Sequence, residues 1–250
     1  MNEQSEKNKK AWEYRAYEHW IKYDGLPEEY AKIIMENPMA RLKKHGKYFE
    51  NINGLRIANP CGSSGRRAVA LVLLGADVTV FDISEENKKY AVKLASCAHV
   101  NLNYVVGDVY DIDMNVYGNY FDMLYLEGGI LHYFHDIDKF MHTLFSLLKP
   151  DGKIVLNDFH PFRKVMPINF FKYSVEDYFD TEIHSGDVAY EDYLDKTENE
   201  EFPKCALRFY TISEIINSMI NSGFTIKEFN EDPSWTNKKL PGEFTIYAIK

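Results

Sequence analysis

Residues 56–82 constrain the fold of this chain more than any other stretch. Arg56-Ile57-Ala58-Asn59-Pro60 reads as a strand and Cys61-Gly62-Ser63-Ser64-Gly65 as a tight loop. The apolar run that follows reads as a helix closed by Gly75, and Val78-Thr79-Val80-Phe81-Asp82 as a second strand ending in an acid. A Gly- and Ser-rich loop that opens a helix lets a ligand approach the backbone closely, and its free N–H groups face polar ligand atoms. Asp82 stands 17 residues past Gly65, where a carboxylate can accept hydrogen bonds from two ribose hydroxyls. The pattern predicts a site for an adenosine-containing cofactor. A pyrophosphate is poorly served, because the G-x-G-x-x-G cradle needs three glycines and this loop has Gly62 and Gly65 alone.

The βα rhythm continues downstream. Ser84 can cap a helix that carries Glu85, Glu86 and Asn87 in its first turn. A strand over 101–106 then leads to Gly107-Asp108-Val109, a fourth strand begins at Tyr120-Phe121-Asp122, and Lys149-Pro150-Asp151-Gly152 turns a helix into a fifth strand that ends near Asp158 and His160. Five strands alternating with helices from Leu55 to Pro161 predict a parallel sheet. Thr211 can cap a further helix that Gly223 ends, and 224–229 and 244–249 read as the last two strands.

Together these stations resemble the class I S-adenosylmethionine (SAM)-dependent methyltransferases. The resemblance implies a Rossmann-like α/β fold: a seven-stranded, mostly parallel sheet with helices on both faces and a terminal antiparallel hairpin whose final strand inserts between its neighbours. A dinucleotide dehydrogenase would instead continue with another parallel βαβ unit. The implied cofactor is SAM. In the loop its contacts would come from Asn59, Cys61, Gly62, Ser63 and Gly65. Asn59 stands where the family usually has an acid and Cys61 where it has the first glycine; the Asn59 carbonyl oxygen can still accept from an ammonium, without the charge. Asp82 would serve the ribose, with Ile83 beside it also in contact with the cofactor, Asp108 the adenine amino group and Val109 the ring, while Glu127 and Gly128 open the loop between cofactor and acceptor.

Outside this core the sequence divides into residues 1–50, a helical lid; 51–161, the cofactor core; 162–209, an insertion on the substrate side; and 210–250, a helix and hairpin that complete the sheet. Trp12, Arg15, Ala16, His19 and Trp20 recur at helical spacing, which gives the first helix an aromatic face. Gly25-Leu26 breaks it, and Pro27 favours a restart at N1. Tyr17 and Trp20 are the lid's candidates for the cofactor, with simple docking on the core as the alternative. Phe170, Phe171, Tyr173, Tyr178, Phe179, Tyr190 and Tyr193 are interleaved with acids in the insertion, where irregular strands are expected over 175–184 and 188–194. The acidic tract 195–201 reads as a mobile, solvated loop.

Composition narrows the partner. A net charge of -9 argues against a nucleic-acid or anionic-membrane surface, which need clustered Lys and Arg, so a small-molecule acceptor is expected. Three cysteines, Cys61, Cys97 and Cys205, are too few and scattered for a disulfide framework or a zinc site, and no metal is expected. The polar start and the absence of a long apolar run predict a cytoplasmic protein. The sequence does not specify an oligomeric state.

Methyl transfer is an in-line displacement, so alignment of the reactants dominates, and a base adds where the acceptor must lose a proton. His132, His160 and Asp158 are the catalytic candidates, with His184 behind them. Each has a bland counterpart: His132 can orient its loop, His160 can shape the chain before Pro161, and Asp158 can hold His160. Arg208 can meet a substrate carboxylate or form an ion pair. Two other functions share these features: a SAM- or nucleotide-binding regulator without turnover, and an NAD-dependent oxidoreductase.

Overall fold

A computed structural model of the chain describes residues 1–165 and 177–250. The first helices are α1 (Glu3–Glu13), α2 (Ala16–Asp24), α3 (Pro27–Glu36) and the short α4 (Pro38–Arg41), followed by a 3-10 turn at Lys43–Tyr48. The core then runs β1 (Arg56–Pro60), α5 (Arg66–Leu73), β2 (Asp77–Asp82), α6 (Glu85–Cys97), β3 (Asn103–Val106), α7 (Met114–Tyr117), β4 (Phe121–Glu127), α8 (Ile137–Leu147) and β5 (Leu148–Phe159). After it come β6 (Ile183–Gly186), β7 (Cys205–Arg208), α9 (Ile212–Ser222), β8 (Thr225–Pro233) and β9 (Pro241–Ile249).

Seven strands form one sheet in the order β3-β2-β1-β4-β5-β9-β8. The first five are parallel, and β9 runs antiparallel between β5 and β8, as the expected hairpin requires. Period-two alternation sends neighbouring residues to opposite faces: Leu124 and Leu126 of β4 join α8 and α9 on one side, while Met123 and Tyr125 join α3, α5 and α6 on the other. Chain order reverses between β1 and β4, and ligands of open α/β sheets bind at the strands' carboxyl ends beside such a switch point. Caps fall where the sequence places them. Ser84 accepts from Asn87 N at the start of α6, and Thr211 and Glu214 form a capping box on α9, which ends at Gly223 with φ 107°.

Three expectations change. The helical pattern across 12–20 is cut at Arg15, whose φ of 55° turns the chain between α1 and α2. In the insertion, β6 begins at Ile183 and pairs with β7, while 188–194 is not a strand. The reason is Tyr190, which is 2% exposed and whose hydroxyl donates to Ala11 O at 3.0 Å and Tyr14 O at 2.7 Å. These bonds tie the segment to the end of α1, and Ala11, Leu194, Phe202 and Leu207 belong to the same buried cluster as Tyr190. Residues 175 and 176 of the first expected strand, with Phe170, Phe171 and Tyr173, lie outside the described residues. The acidic tract is also engaged: Glu200 accepts from Arg15 at 2.7 Å and Tyr14 at 2.9 Å, and Asp195 pairs with Lys22 at 2.8 Å. Among the described residues no helix is long and apolar enough to cross a membrane.

Candidate cofactor and acceptor site

The loop after β1 turns tightly because Cys61 and Ser63 adopt left-handed conformations (φ 55° and 51°) before Gly65 at 71°. At Gly65 a Cβ would stand 2.6 Å from Ala91 Cβ, so a side chain there would push α5 off α6. A Cβ on Gly62 would meet Asn59 Oδ1 at 2.3 Å, so this glycine makes room for the Asn59 amide. Asn59 Nδ2 donates to Tyr125 O at 2.8 Å, and its Oδ1 is buried with no hydrogen-bond partner.

Asp82 organises the loop. Its Oδ2 accepts from Ser63 N at 2.9 Å, and its Oδ1 accepts from Ser84 N and Asn87 Nδ2, both at 3.0 Å. Burial raises its pKa, and these three hydrogen bonds oppose the rise.

Around the carboxyl ends of β1–β4 the structure encloses a cavity of about 260 Å³. Cys61, Ser63, Asp82 and Ile83 form one wall, Gly107, Asp108 and Val109 another, and Glu127, Gly128, Gly129 and Ile130 a third. Two polar atoms on these walls are buried without a hydrogen-bond partner among the described residues: Asp108 Oδ2 and Ser63 Oγ. The other Asp108 oxygen accepts from Tyr110 N at 3.0 Å, so the side chain is held and one lone-pair face is left for a ligand. Cys61, half-buried, has its thiol pKa pushed well up by desolvation and contributes a neutral, apolar contact.

The roof is built from Ser5, Asn8, Trp12 and Trp20, with Arg66, Tyr133, Phe134 and Ala189 closing the edges. Of these, Trp20 alone is a residue the sequence offers for the cofactor. Its Nε1 donates to Asn87 Oδ1 at 2.8 Å, so its ring is fixed to the same asparagine that holds Asp82. Tyr17 stands elsewhere, against Tyr90 with its ring under the Lys89 ammonium. Three amide and carboxylate side chains fasten α1 over the cavity. Gln4 Nε2 donates to Tyr133 O, while Asn8 donates to Tyr133 O at 3.1 Å and Ala206 O at 3.2 Å and accepts from Ala206 N at 2.7 Å. Glu13, at the far end of α1, accepts from Glu85 N at 2.9 Å and Glu86 N at 3.3 Å, placing a carboxylate on the N-terminus of α6, where the helix dipole favours it.

Glu127 is an acid with a fixed partner. Arg67 grips it through Nε and, at 3.0 Å, Nη2, and Tyr125 donates to it at 3.2 Å. Burial works to raise its pKa, but the Arg67 guanidinium outweighs that and holds the carboxyl below its usual range. Behind this pair, His45 bridges Tyr125 at 2.9 Å and Thr245 at 3.3 Å.

The catalytic candidates lie on the far side of the loop after β4. Asp158 Oδ2 accepts from Ile130 N and Leu131 N, both at 2.8 Å, and Oδ1 from its neighbour Phe159 N at 2.6 Å. Burial pushes its pKa up to about 6 against those bonds. The structure thus places Asp158 as an anchor of the cavity wall rather than beside His160. His160 Nδ1 accepts from Phe162 N at 3.2 Å, which leaves Nε2 as the protonated nitrogen that meets Glu231 at 2.9 Å. Desolvation, with Arg163 nearby, lowers the His132 pKa to about 3, so this ring is neutral and weakly basic. His184 meets Asp180 at 2.6 Å, and Arg208 pairs with Glu214 at 2.7 Å. Among the described residues there is no cluster of three His, Cys, Asp or Glu suited to a metal.

Comparison with known proteins agrees with this geometry. Residues 60–156 match the family model described as a methyltransferase domain. No curated protein matches the chain in sequence. Among solved structures, a SAM-dependent methyltransferase from Mesorhizobium loti aligns at 20% identity with a TM-score of 0.59, covering 80% of this chain and 92% of that one. The magnesium protoporphyrin IX methyltransferase of Synechocystis, solved with S-adenosylhomocysteine (SAH), aligns at 13% identity and TM-score 0.60 over 99% of this chain and 100% of that one. The Burkholderia thailandensis 1,6-didemethyltoxoflavin N1-methyltransferase, solved with its substrate and SAH, aligns at 16% and 0.56 over 86% and 77%. At these identities the likeness is one of fold. Residues 60–156 are thus similar to a methyltransferase domain, and the fold of the chain is that of the class I SAM-dependent methyltransferases.

Proposed function

We propose that the cavity binds SAM and that the chain transfers its methyl group to a small-molecule acceptor. The observation that carries this reading is the pair of buried acceptor atoms without hydrogen-bond partners among the described residues, Asp108 Oδ2 and Ser63 Oγ, on the walls of one cavity at the sheet's switch point, with Asn59 Oδ1 a further buried orphan in the same loop. Buried polar atoms are normally paired, so these orphans suit a ligand that brings donors. Asp108 would take the adenine amino group. Asp82 Oδ2 accepts one protein hydrogen bond and keeps a lone pair for a ribose hydroxyl. Asn59 Oδ1 would face the ammonium. When bound, SAM supplies an electrophilic methyl on a sulfonium.

The residues of the chain then act mainly by placement. Asp158 fixes Ile130 and Leu131, so the wall beside the reacting groups is rigid, and the α1 roof excludes water. We assign His160 and Asp158 structural roles, because their polar atoms are already engaged, and His132 a role in shaping the wall, because a pKa near 3 makes it a poor base. Acceptance of a small molecule fits the net charge of -9 and the enclosed cavity. Calorimetric titration with SAM, SAH and NAD tests the reading. Micromolar binding of SAM and SAH, followed by SAH formation in the presence of a pool of small metabolites, is expected. Binding without turnover would favour the regulator, and binding of NAD alone would overturn the cofactor assignment.

A further inference from the structure

A second, smaller cavity of about 40 Å³ lies across the 128–133 loop from the first, lined by His132, Phe159, Arg163, Lys164, Phe209 and Tyr210. The partition is thin: Gly129 and Ile130 face the large cavity, Leu131 and His132 the small one, and a Cβ on Gly129 would strike the Phe159 ring at 2.4 Å. Lys164 is 3% exposed, and among the described residues its buried ammonium has no hydrogen-bond partner. The Tyr178 ring lies 5.2 Å from it.

The acids around it are committed elsewhere. Glu214 is held by Arg208 and Thr211, Asp180 by His184, Asp177 by Phe179 N, and Asp158 by three backbone N–H groups. Arg163 adds a second buried cation, stacked 4.1 Å over Phe159. Burial accordingly lowers the Lys164 pKa. A buried ammonium that no carboxylate among the described residues hydrogen-bonds is costly, even with Glu214, Asp180 and Asp177 acting on it from a distance, and a cavity of 40 Å³ holds roughly three water-sized groups, the size of a carboxylate.

We propose that this small cavity is an anion subsite in which Lys164, with Arg163 beside it, receives a carboxylate carried by the methyl acceptor. That the ligand is the acceptor rests on the methyl-transfer reading of the neighbouring cavity; that the subsite takes a carboxylate does not.

Scanning calorimetry of the full chain separates the two. Phenylacetate at millimolar concentration, with and without SAH, should raise the Tm of the wild type by on the order of 5 °C once well above its Kd, whereas neutral phenylacetamide should not. Lys164→Met should melt no lower than the wild type without ligand, keep its response to SAH and lose its response to phenylacetate. Lys164→Gln serves the same comparison if the Met variant does not fold. Equal phenylacetate shifts in wild type and variant, no shift in the wild type, a Lys164-dependent response to inorganic phosphate in place of phenylacetate, or a ligand-free Met variant melting well below wild type would each overturn the proposal. Failure of SAH to bind, with the phenylacetate response intact, would overturn the methyl-transfer reading and leave the anion subsite standing.

Discussion

Asp82 and Asp108 sit at the ends of successive strands and both face the cavity, yet they should respond differently to removal. Asp82 satisfies three protein donors, so Asp82→Ala should lower stability as well as ligand affinity. Asp108 keeps one oxygen unpartnered. Asp108→Ala should therefore weaken SAH binding 10- to 100-fold, the loss of a charged hydrogen bond worth about 1.5–3 kcal/mol, while Tm falls little; titration and scanning calorimetry of the two variants check this. His45 offers a pH test. Burial lowers its pKa from 6.5 to about 4, so the unfolded chain binds this proton first as pH falls. The stability held by neutral His45 is fully present above pH 6.5 and is lost as pH drops toward 4, by up to about 3 kcal/mol. The difference in unfolding free energy between wild type and His45→Phe should shrink across that window. Both acids were legible in the sequence because strand ends are marked by alternation and by the glycine or helix cap that follows. Tyr17 was not separable from Trp12 in the same way: helical spacing assumes one continuous helix, and the left-handed turn at Arg15 resets the face, so Trp12 reaches the cavity and Tyr17 does not.

At the scale of elements, α1 is the piece whose placement the sequence conceals. Its fasteners, Gln4, Asn8 and Glu13, are polar and look like surface positions in a hydrophobicity pattern, yet Gln4 and Asn8 are 8% and 4% exposed. They reach backbone groups more than 120 residues away in sequence, and no local pattern encodes such partners. Asn8→Ala should leave the Ala206 N–H and C=O unpaired, cost roughly 1–3 kcal/mol, and speed SAH release in stopped-flow measurements with less effect on its association. The helices of the core were far more legible, because caps and glycines are local chemistry. Gly65→Ala should destabilise by about 2–4 kcal/mol, since it combines a left-handed backbone with a Cβ 2.6 Å from Ala91, and its denaturant midpoint should fall with an unchanged slope.

For the molecule as a whole, the parallel strands follow from βα alternation, whereas the antiparallel pairing of the two late strands comes from the family resemblance. The β6–β7 ribbon follows from neither, because its packing depends on Tyr190 meeting α1 rather than on any period of its own. The site divides the same way: the floor belongs to the regular core and was readable, whereas the roof, with Ser5, Asn8, Trp12 and Ala189, is assembled from the first helix and the insertion. Ligand binding should therefore slow hydrogen exchange in residues 3–24 and in the loops after β1, β3 and β4, and leave the β8–β9 hairpin unchanged, as mass-spectrometric exchange with and without SAH would show.

The crystal structure of the SAH complex tests the central assignment most directly. The predicted result is an adenine amino group hydrogen-bonded to Asp108, a ribose hydroxyl at Asp82 and the amino-acid end near Asn59, beneath α1. Electron density for SAH outside this cavity, or an adenine ring away from Asp108 and Val109, would contradict it.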